Sequence, residues 1–392
     1  MKKFLMFLAV FLVTPFLLLG AASAAANGTY STNKVISTAA VKDLVVTHVT
    51  VPDKGVKGCN IIVSNTIKNQ GNGTAGGFRV NYYLKKSLNS SSIYIGQRYI
   101  KSLGSGASNN QNTYLSIPTN ITKGNYYLLT YADAGKNVLE SNETNNYHFS
   151  STHIQIIGPD YILFNNKIGA DVTKNSAINK NIPKTDFAKT IFRLEKSGSV
   201  MLKFGNGIGP KVLISAGIHG NEPQANIAIM KYLELIKEDQ YIKGTLYVIP
   251  FALPIDTSLN TRYYNGKDPN RIANVLGTPS WKIVQFAKNN KINYLLDVHS
   301  GGGVSKKGFI YVNHQSTKIE KKWVSYIISK TLSSTGFDSA DSAGMIRVAS
   351  HNYGVNSITL ETERDSAPVM TSANTEYKMI IAACKYLGLP SN

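Results

Sequence analysis

Short runs in which apolar and polar positions alternate fill the first part of the chain, at 44–51, 60–67, 78–84 and 125–132, and turn-forming Gly, Asn, Ser and Pro separate them. A period of two marks a strand with one buried face. Strands at such intervals predict an all-β, immunoglobulin-like sandwich over residues 42–157. Beyond residue 186 the pattern lengthens. Apolar runs expected as strands at 211–215, 245–250, 294–299, 309–312 and 357–361 alternate with helical periodicity around 224–237, 279–288, 321–333 and 375–386. Such alternation predicts an α/β domain with a mostly parallel central sheet covered on both faces, over 186–392. A hairpin of 190–194 and 200–204 is expected just before that sheet begins at Val212. Between the two domains, 158–185 is polar and basic and reads as a linker or first surface element.

The N-terminal stretch carries a different message. Met1-Lys2-Lys3 opens an apolar run from Phe4 to about Leu19, and Ala22-Ser23-Ala24 follows with small residues at the spacing of a cleavage site. Residues 1–24 are therefore expected to be a secretory signal and 25–41 a flexible leader, giving a secreted or cell-surface protein. The formal net charge is +19, or +17 once Lys2 and Lys3 are removed. That balance favours anionic partners, such as a cell-surface polymer met by the basic surface or by the sandwich. No arginine-aromatic array accompanies the charge, so nucleic acid is not expected as a partner. The two cysteines, Cys59 and Cys384, fall in different domains, which excludes a disulfide framework.

Candidate chemistry gathers where strands end. His219 and Glu222 lie where the 211–215 strand gives way to a helix, on a turn containing Gly217 and Gly220. In open α/β sheets that is the crevice where ligands bind. His299 ends a second strand at a glycine cluster, with Asp297 two residues earlier on the same side by alternation. Two imidazoles and one carboxylate leave a fourth position open, the donor set of a hydrolytic zinc ion. Glu361 and Glu363 close a later strand and are the candidates for general base, with Glu361 preferred and Glu363 as the alternative. His314 and His351 lack such framing and read as surface or packing residues. The carboxylates and amides of residues 133–146 read as a polar turn in preference to a calcium site.

Four segments in order, His219-Gly220-Asn221-Glu222, Thr261-Arg262-Tyr263, Asp268-Pro269-Asn270-Arg271 and Asp297-Val298-His299, resemble the aspartoacylase and succinylglutamate desuccinylase group of the zinc carboxypeptidase superfamily. The resemblance covers roughly 185–388. It implies that His219, Glu222 and His299 hold one zinc ion. It further implies that Arg262 polarises the scissile carbonyl, that Asn270 and Arg271 clamp a substrate carboxylate, and that Glu361 is the catalytic base. The chain departs from the group's pattern at Pro269 and Ala273, and Leu253-Pro254-Ile255-Asp256 stands near the place of an expected Asn-Pro. These are positions that bear on substrate identity. Separately, 68–75 and 133–146 resemble the CARDB-type adhesion domain, an immunoglobulin-like module, over about 42–156.

Together these readings predict a secreted zinc metallohydrolase of carboxypeptidase-like fold that trims carboxylate-bearing extracellular or cell-wall peptides. Two alternatives stand beside it. One is an N-acyl amino acid deacylase; the other is a surface adhesion protein whose hydrolase domain is inactive.

Overall fold

The computed structural model describes residues 39–239 and 242–391. The expected signal and nearly all of the expected leader lie outside the described residues.

Alternation in the first domain yields nine strands: β1 (Leu44–Thr50), β2 (Lys54–Val56), β3 (Asn60–Asn69), β4 (Phe78–Lys85), β5 (Ile93–Ile100), β6 (Ser108–Ser116), β7 (Gly124–Ala132), β8 (Tyr147–Phe149) and β9 (Ile154–Ile157). They form a three-stranded sheet, β1-β3-β6, and a six-stranded one, β2-β9-β7-β4-β5 with β8 beside β7. Every second residue of β4 (Phe78, Val80, Tyr82, Leu84) is buried and packs in one core with Val63, Ile67 and Leu115 of the opposite sheet. Acidic side chains in the 133–146 loop accept from backbone amides, both within the loop and from β1. Asp133 accepts from the amides of Asn137 and Val138, and Glu140 from that of Leu44.

The second domain follows without an extended connection. Its elements in order are β10 (Asp160–Asn165), α1 (Ser176–Asn181), α2 (Asp186–Glu195), β11 (Ser199–Phe204), β12 (Lys211–Ala216), α3 (Pro223–Ile236), β13 (Thr245–Ile249), α4 (Pro254–Leu259), α5 (Pro279–Asn289), β14 (Tyr294–Gly301), β15 (Phe309–Tyr311), α6 (Lys318–Thr331), β16 (Ser334–Gly336), α7 (Ile346–His351), β17 (Asn356–Glu363) and α8 (Val369–Tyr386). Eight strands make one sheet in the order β10-β11-β13-β12-β14-β17-β15-β16.

The expectation of a mostly parallel sheet is corrected to a mixed one. Parallel pairing holds the centre, β13-β12-β14-β17, while β10-β11, β11-β13 and β17-β15 are antiparallel. At the far edge β15 and β16, joined through α6, pair in parallel again. Alternate residues of the central strands feed two cores. Val212 and Ile214 face α3 and α8, whereas Leu213 faces α5 and α7.

A second correction concerns 190–194, expected as a strand and found in α2. Thr185 caps this helix by accepting from the Ala188 amide at 3.1 Å, and Phe187 and Ile191, one turn apart, bury against the sheet. That 3.6-residue spacing outweighs the β-branched character of Thr190 and Ile191. Within 158–185, β10 adds an edge strand to the catalytic sheet, and α1 and a 3-10 turn at Val172–Lys174 pack beside it.

Residues 40–392 are one compact unit, and the seam between the domains is apolar. Val56 and Ile157, at the ends of β2 and β9, belong to the same core as Val172, Ile178, Phe187 and Ile191. The buried Lys57 pairs with Asp160 at 2.8 Å, and Tyr161 Oη donates to the Lys57 carbonyl at 3.0 Å. No helix among the described residues is long and apolar enough to cross a membrane.

Candidate metal centre and active site

Parallel register brings the chemistry together. In the β14-β17 ladder His299 stands beside Glu361, and in the β12-β14 ladder Ala216 stands beside Val298. The carboxyl ends of all three strands therefore open on one crevice. From the end of β12 the chain turns through Ile218-His219-Gly220 into α3, whose N-cap is Glu222 and whose first residue is Pro223. Gly220 is needed for close approach, since a Cβ there would lie 2.0 Å from the backbone of Asp256. The turn can then fold back against α4 and deliver His219 and Glu222 to the same point.

His219, Glu222 and His299 each place a donor atom within 4.8 Å of the other two, and all three are buried. Nδ1 of His219 lies 2.8 Å from Glu222 Oε1, and Nδ1 of His299 lies 2.9 Å from Oε2. The opposite nitrogens are held from behind. His219 Nε2 donates to Asp268 Oδ1 at 2.8 Å and His299 Nε2 to Asp297 Oδ2 at 2.9 Å. This is the carboxylate-histidine arrangement that fixes imidazole orientation at zinc sites. The Ser300 amide also donates to Glu222 Oε2 at 3.1 Å.

Charges follow from this packing. Burial pushes the Glu222 carboxyl up, but His219 and His299 outweigh it and hold the group well below the usual carboxylate range. For His299, burial acts downward, and Asp297 and Glu222 reverse it to leave the imidazole well above its ordinary value. His219 is raised in the same way, with Glu222 and Asp268 overcoming burial. Two imidazoles turn Nδ1 to one buried carboxylate at a single point, where a divalent cation would be held. A buried N2O donor set whose far nitrogens are already anchored fits zinc.

Around this centre lies a cavity of about 110 Å³, lined by the three donors and by Arg262, Asn270, Arg271, Tyr311, Asp338, Met345, Arg347, Thr359 and Glu361. Arg262 donates through Nε and Nη2 to Asp268 Oδ2, at 3.1 and 2.8 Å, and through Nη1 to Glu222 Oε1 at 3.0 Å. Asn270 is buried and committed to the scaffold. Its Nδ2 faces His299 Nε2 at 3.2 Å and Asp297 Oδ2 at 3.5 Å, and its Oδ1 accepts from the Ile346 amide at 2.9 Å. Among the described residues, Arg271 donates only to the Asn270 carbonyl, at 3.0 Å, and has no acidic partner.

The two carboxylates left open by the sequence part company. Glu361 lines the cavity, and burial pushes its carboxyl up to about 7, with His299 acting against the rise and Glu222 adding to it. Glu363 instead accepts from the amides of Asp365 and Ser366 and braces the turn after β17. Gly301 makes room for Glu361, because a Cβ there would fall 2.0 Å from Glu361 Oε1. His314 and His351 stay away from the centre; the first stacks on Phe337 and the second contacts Glu320.

Sequence reasoning missed three contributors. Asp268 and Asp297 stood in the motifs without an assigned role, although strand alternation already put Asp297 on the side of His299. Arg347 had no local signal. It is buried on α7 and lines the cavity, donates to Asn313 Oδ1 at 2.7 Å and to Asp341, and keeps a buried Nε without a partner among the described residues. A larger cleft of about 550 Å³ lies at the seam of the two domains, between Tyr94 and Pro118 on one side and Lys189 and Arg193 on the other. None of the metal-binding or base residues lines it.

Comparison with known proteins agrees with this division. Residues 41–150 match the CARDB family model, and residues 208–371 match that of the succinylglutamate desuccinylase/aspartoacylase catalytic domain. Among solved structures, a succinylglutamate desuccinylase/aspartoacylase from Rhodobacter sphaeroides is 18% identical with a TM-score of 0.41. The match covers 50% of this chain and 60% of that one. The ectoine utilization protein of Ruegeria pomeroyi is 19% identical with a TM-score of 0.41, and the match covers 50% of this chain and 64% of that one. A CARDB domain from Pyrococcus furiosus, solved with di-metal ions, is 19% identical with a TM-score of 0.24 over 30% of this chain and 90% of its own. No curated protein matches the chain.

Proposed function

From a chain in which a CARDB-like domain precedes a succinylglutamate desuccinylase/aspartoacylase-like zinc-hydrolase domain with a His-Glu-His metal site, we propose that the protein hydrolyses the amide bond of small N-acyl amino acids. One observation carries this reading: the donor triad opens on a cavity of about 110 Å³ walled by charged groups. Small-molecule sites commonly occupy roughly 300–1,000 Å³, so this one suits a single acylated residue better than an extended peptide. Peptide trimming, the first expectation from sequence, is the less well supported reading on that ground.

Zinc held by His219, Glu222 and His299 supplies a Lewis acid for the scissile carbonyl and lowers the pKa of water. The protein's own groups supply the rest. Glu361 takes a proton from the attacking water and passes it to the leaving amine, a role for which a carboxyl near 7 is well matched. Arg262, fixed by Asp268, presents its guanidinium beside the centre as negative charge develops on the carbonyl oxygen. Arg271, without an acidic partner among the described residues, offers donors to the substrate carboxylate. Asn270 contributes by holding His299 and Asp297 in place.

The test is to incubate the zinc-loaded full chain with a panel of N-acetyl and N-succinyl amino acids and, in parallel, with C-terminal dipeptides. Preferential release of acyl groups supports the proposal; exclusive release of C-terminal residues restores peptide trimming; no turnover by protein that holds stoichiometric zinc favours a binding protein. The basic, apolar and small-residue succession of residues 1–24 supports export as part of the same proposal. N-terminal sequencing of the mature protein would show a start near residue 25, and an intact Met1 would refute it.

A further inference from the structure

Helices α6 and α8 share the core on one face of the catalytic sheet. Trp323 Nε1 donates to the Ala383 carbonyl at 3.1 Å, and the Tyr326 and Tyr386 rings meet at 5.6 Å, which locks the two helices side by side. Each carries one acidic residue and turns it inward. Glu320 completes the cap of α6 and accepts from the Ser357 amide, and Glu376 is fully buried. The outward charge of the pair is therefore all lysine: Lys318, Lys321, Lys322 and Lys330 on α6, and Lys378 and Lys385 on α8. Lysine ion pairs among the described residues involve Lys57, Lys189, Lys196 and Lys237, and none of these six. On α8, Lys378, Ile381, Ala382 and Lys385 fall at i, i+3, i+4 and i+7 and so share one stripe, whose two lysines stand about 10 Å apart along the axis. With Lys330 and Tyr377 this stripe lines a groove of about 330 Å³. Its floor is apolar, and its walls carry three ammonium groups and no carboxylate.

We propose that this groove holds a segment of an acidic polysaccharide, with sugar carboxylates on Lys330, Lys378 and Lys385 and the C–H face of a sugar ring on Ile381 and Ala382. A concave surface of one sign with low-dielectric walls focuses its field and gathers counter-charge. A lysine ammonium is a compact charge on a flexible stem, so it meets carboxylates whose orientation varies along a polymer. A repeating chain engages several such groups at once, each contact raising the effective concentration of the next. The floor selects among polyanions. Covering Ile381 and Ala382 favours a unit that brings an apolar face along with its charge, which a plain phosphate chain lacks. Single-stranded nucleic acid binds by stacking bases on open aromatic faces, and Tyr377, the one aromatic side chain lining the groove, already has Lys231 Nζ 4.8 Å from its ring centroid. No groove residue lines the metal-centre cavity, so the site is independent of the amide-hydrolase reading.

The experiment titrates the full chain into a fluorescent oligogalacturonate and into its fully methyl-esterified form, the same chain without charge, and reads anisotropy. The acid should bind at least about tenfold more tightly than the ester, and its affinity should fall as added salt shortens the Debye length. The triple variant Lys330→Gln, Lys378→Gln, Lys385→Gln should lose at least about tenfold in affinity, the yield of three partly exposed ion pairs. Lys54→Gln, Lys68→Gln, Lys101→Gln, with the same loss of charge at exposed positions of the sandwich, should stay within about threefold of wild type. Thermal unfolding confirms that both variants are folded. Equal affinity for acid and ester, or equal weakening in the two triple variants, overturns the groove. Tighter binding of inorganic polyphosphate or of a single-stranded oligodeoxynucleotide than of oligogalacturonate, lost in the groove variant, overturns the polysaccharide as its occupant.

Discussion

In the proposed reaction, Glu361 is the side chain on which turnover depends most directly. Replacing it with Gln keeps the shape and removes the base, so kcat should fall by about 10²–10⁴-fold, while zinc content measured by atomic emission stays at one per chain. The pH profile of kcat/KM should show an acid limb, since only the deprotonated carboxylate accepts a proton. Burial sets the carboxyl at about 7 before any cation is added, and a nearby divalent cation favours the charged form. The limb should therefore lie at or below that pH in the zinc-loaded protein and vanish in Glu361→Gln. Asp297 acts at one remove, through His299. Asp297→Asn should weaken zinc about 10–100-fold, read by competition with a chromogenic chelator. Behind the site, Glu376 on α8 is fully buried, and burial pushes its carboxyl to about 8 against the lowering effect of the Thr362 hydroxyl. The folded chain thus keeps a proton that the unfolded chain releases above about 4.5, and stability falls as pH rises from there toward 8. Glu376→Gln has no proton to lose, so its gain over wild type in chemical denaturation should grow across that window, on the order of 1.4 kcal/mol per pH unit.

At the scale of elements, the central parallel strands do what their sequences announce. Residues 211–215, 245–250, 294–299 and 357–361 are near-continuous apolar runs because both of their faces are covered, and the structure has them as β12, β13, β14 and β17. The metal donors were legible for the same reason, since each ends a strand or opens a helix and so had its position fixed by a local pattern. α2 was not legible as a helix. Its Thr190-Ile191-Phe192 core suits a strand as well, and only the capping Thr185 and the Phe187–Ile191 spacing decide it. Because Thr185 is the cap, Thr185→Ala should cost about 1 kcal/mol in thermal or urea unfolding. The mixed sheet, too, was out of reach, because pairing of β10, β11 and β15 is settled by long-range contacts that leave no period in the sequence. Arg347 shows the same limit for the site. Nothing in Met345-Ile346-Arg347 marks the cation as functional until α7 folds against β17 and turns it to the cavity wall.

For the whole molecule the telling feature is the seam. Val56 and Ile157 from the sandwich share a core with Phe187 and Ile191 from the catalytic domain, and the buried Lys57 meets Asp160 there. Domains joined through a common apolar core should unfold together, so calorimetry of the full chain should give one transition, with calorimetric and van't Hoff enthalpies in agreement. Two separated transitions would refute that coupling. Lys57 is also where the chain leaves β2, one residue from Val56, so backbone and side chain converge on the same few ångströms of contact. A module hung on a slack tether lets an enzyme roam around its anchor. Here the sandwich is closer to a handle fused to a blade: whatever it grips fixes the bearing of the cavity mouth, and the reach of the chemistry is set by rigid geometry instead of by diffusion.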